Sequence, residues 1–265
     1  MTPGLIFPLW ALSILIVIAL PCAAYIGWRT GRATYFARGY DTSPPSSYPG
    51  DTSRGAMLAM LGLLLAFTFG FALTRAEARK INQINEATAI STAFLKADLL
   101  EDPGRTALRS ALLDYAATRV VDHAAARREG FDTFMARTIA EQASLWPDMM
   151  NAFGDDTPPP IKAMIAGSMT QVLDAHTYRL TAGTDYVPLV AKVMLLIVAM
   201  ACLFFVGNNS GLRGRALTWR TFIFAGAQAV VMIVILDFER GQEGFITLNT
   251  TIMEMTIADM EAQSG

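Results

Sequence analysis

A chain of 265 residues has room for one or two domains. Apolar residues make up 53 % of it and charged residues 17 %, against roughly 45–50 % and about 25 % in a soluble domain, which excludes an ordinary soluble globule and intrinsic disorder alike. A net charge of −2 argues against a general nucleic-acid binder, and two cysteines and two histidines are too few for a disulfide framework or a Cys- or His-rich metal centre.

The apolar excess sits in four runs. The first ends at Trp28, and no charge precedes Arg29. It lacks a basic n-region and is longer than the 7–15 apolar residues of a signal peptide, so residues 1–28 are predicted as a retained transmembrane helix, kinked at Pro21. Residues 29–54 include a Pro-, Ser- and Gly-rich stretch and are predicted as a mobile loop. Residues 55–74, bracketed by Arg54 and Arg75, form the second predicted span.

Residues 75–187 carry 12 basic and 15 acidic residues and are predicted as a helical soluble domain. Its first helix continues out of span two as far as Leu99-Leu100. A second is predicted from Thr106 to Arg128, a third from Asp132 to Ala152 with a bend at Pro147, and a fourth from Ile161 to Thr181. Residues 188–206 form the third span, 207–215 a short loop and 216–236 the fourth span. Lys192 and Arg220 lie close enough to span ends to snorkel to the headgroups. Residues 237–265 are predicted as an acidic tail. The fold class is therefore an all-α membrane protein with four transmembrane helices and a helical extramembrane domain.

No Walker loop, Gly-x-Ser-x-Gly or His-Glu-x-x-His sequence is present, so no catalytic residue, metal ligand or cofactor is predicted, and the chain reads as a non-enzyme. The carboxylates of the middle domain fall on polar faces and read as solvated. His176 beside Asp174 could titrate near neutral pH, although an inert helix-surface histidine is the simpler reading. Span two carries more information. Gly62, Ala66 and Gly70 form a small-xxx-small stripe suited to close helix packing. Beside it run Ala59, Leu63, Phe67 and Phe71, also four residues apart and so on one face. These bulky groups can be buried in a bundle or face lipid. Alternatively, copies of the helix around an axis would stack them into an apolar neck that gates ions by dewetting, and phenylalanine ring edges need not repel a partly dehydrated anion.

Four stretches resemble the bestrophins, and more closely the bacterial bestrophin-like membrane proteins. Residues 61–79, ending in Thr74-Arg75-Ala-Glu77-Ala-Arg79, are similar to the neck helix and the Thr-Arg pair after it. Asn85-Glu86-Ala-Thr88-Ala-Ile90 with Phe94-Leu-Lys-Ala-Asp98-Leu-Leu100 resembles the signature that follows, with Thr88 where the family usually has Asn. Leu173-Asp174-Ala-His176-Thr-Tyr-Arg179-Leu180 leading to Pro188 is similar to the helix entering the third span, and Leu236-Asp237-Phe-Glu239-Arg240 through Gly244 resembles the motif closing the fourth, without its usual proline. The resemblance implies a homopentamer with an ion pathway on its axis and a neck at Ala59, Leu63 and Phe67; Phe71 extends it by helical spacing. Ala59 is smaller than the residue expected there, which widens that end. The family's calcium clasp is not carried over, because Glu239 and Glu243 make no dense acidic run.

The implied function is a passive channel for small ions, chloride or other anions, in a cell membrane (the inner one in a Gram-negative bacterium). Its partners are copies of itself, the bilayer and the permeant ions, with no nucleic acid. A non-conducting scaffold or sensor whose helical domain binds a protein partner fits the same helices. Arg29, Arg32, Arg38, Arg54, Arg213, Arg215 and Arg220 outnumber Arg75, Arg79, Lys80, Arg179 and Arg240, which places the loops 29–54 and 207–220 in the cytoplasm. The resemblance implies the reverse, with both termini and the helical domain cytoplasmic, and that orientation is the expectation retained.

Overall fold

The structure is a computed structural model and describes residues 8–37, 51–120, 131–240 and 250–264. Among them every regular element is a helix. In chain order these are α1 (Leu9–Ala37), α2 (Asp51–Lys96), a 3-10 turn (Ala97–Leu99), α3 (Gly104–Thr118), α4 (Phe131–Ala152), α5 (Pro159–Thr184), α6 (Leu189–Leu212), α7 (Trp219–Arg240) and α8 (Thr251–Ala262). Four stretches are long and apolar enough to cross a membrane: Leu9–Ala37, Thr52–Leu99, Pro159–Leu212 and Trp219–Glu239. In the second and third, the uncharged or nearly uncharged part is confined to residues 55–74 and 188–206. Two compact units result, one made of Met1–Ala76 and Tyr186–Ile246, the other of Glu77–Asp185 and Thr247–Gly265.

In the first unit the closest contact is between α1 and α6. Gly27 and Gly31 face Gly207 and Gly211, and no side chain separates the two backbones. A Cβ added at Gly207 would lie 1.9 Å from the Ala24 carbonyl oxygen, and one at Gly27 2.0 Å from that of Phe204. The numbers rise together along both helices, so α1 and α6 run parallel. Leu20, Ala24, Ala199 and Leu203 fill the seam, and Ala225, Ala229 and Met232 of α7 complete the same core. Large apolar side chains cover the outside: Trp10, Ile18, Val190, Ile197, Ile223 and Val230 are all more than half exposed. Hydrocarbon solvates such a surface and water does not.

The second unit has an ordinary apolar centre. Ile90 and Phe94 of α2, Leu108 and Leu112 of α3, Leu145 and Met149 of α4, and Ile165, Met169 and Val172 of α5 are buried together. Gly104 lets α3 start against the end of α4: a Cβ there would lie 2.0 Å from the Ala152 carbonyl oxygen. Met253 and Met260 of α8 close the core, and the Arg109 guanidinium donates to the Gln263 carbonyl at 3.3 Å.

Several boundaries differ from the sequence reading. The segment assigned to an acidic tail contains α8, which buries Met253 and Met260 in the core and turns its carboxylates outward. The second soluble helix, expected to reach Arg128, ends at Thr118, and residues 121–130 lie outside the described set. Helix α1 continues to Ala37 and α6 to Leu212, each shortening an expected loop; the rest of the first loop, residues 38–50, is outside the described set. The third soluble helix, by contrast, is found where expected, as α4 with Pro147 inside it.

Candidate functional site

Helix α2 is uninterrupted for 46 residues and contains no proline, and good helix formers make up much of it. In the first unit it lies against its neighbours through Leu61, Thr68 and Ala72, all buried, and Phe69 meets Phe238 edge to face with ring centroids 5.7 Å apart. The other face is open. Leu63 is 56 % exposed, and Phe67 and Phe71 are each 59 % exposed. Ala59, Gly62, Ala66 and Gly70 are exposed as well, and a Cβ built on Gly62 or Gly70 meets nothing within 4 Å. Successive members of the Leu63, Phe67, Phe71 series are about 40° apart around the axis, so the three form one slowly turning apolar ridge. The structure thus brings all seven candidate residues of span two onto one open side of α2. The close helix crossing within the chain is made elsewhere, by the Gly27, Gly31, Gly207 and Gly211 set.

A second constellation, not predicted, lies in the second unit. The Glu86 carboxylate is fully buried. Arg119 Nε donates to its Oε1 at 2.9 Å, Arg179 donates to Oε2, and the Tyr115 hydroxyl is 3.3 Å from Oε1. That hydroxyl is also 2.7 Å from His176 Nδ1. Arg179 makes a further bond to the Arg119 carbonyl at 3.2 Å, which caps the C-terminal end of α3. Burial raises the carboxyl pKa, but the two guanidinium charges and their hydrogen bonds outweigh it and leave Glu86 below its ordinary value. His176 is held neutral, its pKa pushed down to about 4 by burial and then by the Arg119 charge. Burial and the Glu86 charge push the Tyr115 phenol up. The cluster joins α2, the end of α3 and α5.

These positions correct two expectations. His176 is a buried hydrogen-bonding residue and not a surface one, and Asp174 points to solvent. Glu86 is an exception to the solvated carboxylates. Both could have been read from the sequence: Glu86 is four residues before Ile90, and His176 is four after Val172, so each occupies an apolar helical stripe. Arg79, in the stretch that follows the ridge, is also buried. It caps the end of α5 through the Ala182 carbonyl at 3.0 Å and the Asp185 carbonyl at 3.1 Å.

Lys192 does not need to snorkel. Its ammonium bonds both carboxylate oxygens of Glu239, at 3.0 and 2.9 Å, tying the first turn of α6 to the last of α7. Arg220, by contrast, is exposed and lies over the Trp219 ring, 5.9 Å from its centroid. Among the described residues no three His, Cys, Asp or Glu side chains are gathered as metal ligands. Comparison with protein-family models, curated proteins and solved structures found no match to this chain.

Proposed function

We propose that this protein is a membrane channel of the bestrophin-like kind, in which five copies surround an axis and small ions, chloride or other anions, cross passively through a neck of Leu63, Phe67 and Phe71, with Ala59 at its wider end. It resides in the cell membrane, the inner one in a Gram-negative bacterium. The observation that carries this reading is the open side of α2. All four spans share one core and expose large apolar groups, but α1 and α6 close their small-residue stripes on each other, whereas α2 leaves a groove of small residues beside its apolar ridge, and no described residue covers either. In a ring, Gly62, Ala66 and Gly70 let neighbouring α2 helices approach closely, and the ridge is turned toward the axis. A constriction lined this way holds no fixed charge, so it passes ions by partial dehydration and excludes water when narrow.

Purified protein in detergent gives the first test. A five-subunit particle that conducts in planar bilayers supports the proposal, and the reversal potential in a salt gradient gives the ion. A monomer or dimer, or a sealed bilayer at every protein density, refutes it and leaves the scaffold reading.

A further inference from the structure

The glycine contact between α1 and α6 has an electrostatic consequence at one end of the first unit. Because the two helices run parallel, they end together, and the turn after α6 folds onto α1. Trp28 Nε1 donates to the Arg215 carbonyl at 2.9 Å. Gly214, at φ +65°, lets the chain reverse with the Tyr35 ring directly beneath it. Arg32 lies over two aromatic faces, 5.2 Å from the Trp28 centroid and 5.5 Å from that of Phe36. Arg29, one turn before Arg32 on α1, Arg215 in the turn after α6 and Arg220 in the first turn of α7 are all exposed.

No acidic residue occurs in α1 or α6, and the carboxylates of α7, Asp237 and Glu239, are at its far end, about 25 Å away at 1.5 Å per residue. Helix α2 opens with Asp51 and Arg54, whose formal charges cancel. Arg29, Arg32, Arg215 and Arg220 have no carboxylate partner among the described residues. The carbonyl ends of α1 and α6 account for only part of this charge: each is worth about half a negative charge, against four guanidiniums. Trp28 and Trp219 add the pair of amphipathic rings that anchor a helix end at headgroup depth.

We propose that this end of the first unit binds the phosphate headgroup of an anionic phospholipid, held by Arg32, Arg215 and Arg220 with Arg29 at the edge. Guanidinium forks match phosphate oxygens bidentately, and Arg32 is pre-oriented by the rings beneath it. The inference needs the unit to be membrane-embedded and does not need it to conduct.

The test uses delipidated full-length protein in detergent and measures retention of dioleoyl-phosphatidylglycerol against dioleoyl-phosphatidylcholine by native mass spectrometry. The wild type prefers the anionic lipid at least tenfold. At about fivefold per arginine near a headgroup, R215Q/R220Q loses on the order of 25-fold and R32Q/R215Q/R220Q on the order of 100-fold in affinity for phosphatidylglycerol. The double variant alters only exposed side chains and keeps the backbone bond to Trp28, so it reads binding without disturbing the fold. Equal retention of both lipids by the wild type, or an unchanged preference in both variants, overturns the proposal. So does an equal loss in K80Q, which removes an exposed charge from the other unit and would reduce the effect to net charge. Displacement of the lipid by inorganic phosphate at equal concentration overturns it in favour of a soluble-anion site.

Discussion

Replacing Glu86 by glutamine removes one buried charge and leaves the shape of the side chain nearly unchanged. Arg119 and Arg179 then face each other across a neutral amide, with Arg119 only 2 % exposed. Removing one member of a buried ion pair costs about 3–5 kcal/mol, because the partner's desolvation is no longer compensated. Here two guanidiniums share one carboxylate, so the upper half of that range is expected. For a unit of this size each kcal/mol moves the midpoint about 3–5 °C, so E86Q lowers the thermal midpoint of the second unit by roughly 12–25 °C. Thermal scans in detergent, followed by near-ultraviolet circular dichroism of Tyr115 and its neighbours, read this directly. A cycle with R179M separates charge from packing: in E86Q/R179M one of the two uncompensated cations is gone, and part of the loss is recovered. A shift in E86Q below about 3 °C, or no recovery in the double variant, refutes the claim that this cluster holds α2, α3 and α5 together.

Other outcomes follow from the same contacts. His176 binds its proton only near pH 4 in the folded chain, against about 6.5 when unfolded. The unfolded state therefore takes up the proton first, and stability falls as pH drops from about 6.5 to about 4, by about 3 kcal/mol in all; H176Q flattens that part of a stability–pH profile, and an unchanged profile contradicts the assignment. Glu86, with its lowered pKa, adds a further loss below about pH 4.5. G207L must push Ala24 aside from a position 1.9 Å away and costs about 3 kcal/mol or more of the α1–α6 contact, seen as aggregation or loss of the folded peak in size-exclusion chromatography. G62L has open space within its own chain, so it leaves the monomer fold intact and lowers the subunit number; an unaltered oligomer removes Gly62 from the interface. F67A widens the proposed neck and raises unitary conductance, while a lipid-facing Phe67 leaves conductance unchanged.

Much of the fold is legible in the sequence because membrane spans are set by long uncharged runs, which local composition reveals. The extension of α2 beyond span two follows from the same logic, since nothing between Arg75 and Lys96 breaks a helix. The close crossing was equally available: Gly27-x-x-x-Gly31 and Gly207-x-x-x-Gly211 are small-xxx-small pairs at the same spacing as the stripe in α2. Spacing alone does not say which stripe meets a partner in its own chain, and only the coordinates distinguish the two. The apolar stripes of Glu86 and His176 show that each is buried, but their meeting with Arg119 was hidden for another reason. The three are far apart in the chain, and a buried ion cluster depends on three helices arriving at one point, which no local window records. Helix α8 was masked by its carboxylates, because charge counting overlooked Met253 and Met260 on its inner side.

The central claim is that Phe67 borders an ion path, and a thiol at that position tests it most directly. With Cys22 and Cys202 replaced by alanine, F67C protein is reconstituted in planar bilayers and treated from the aqueous side with a small charged methanethiosulfonate. If position 67 faces the axis, the reagent reacts and the current through the open protein changes abruptly, by most of its amplitude. A current that persists unaltered, with the thiol at position 67 still unmodified by mass spectrometry, would place the side chain in lipid and contradict the channel reading.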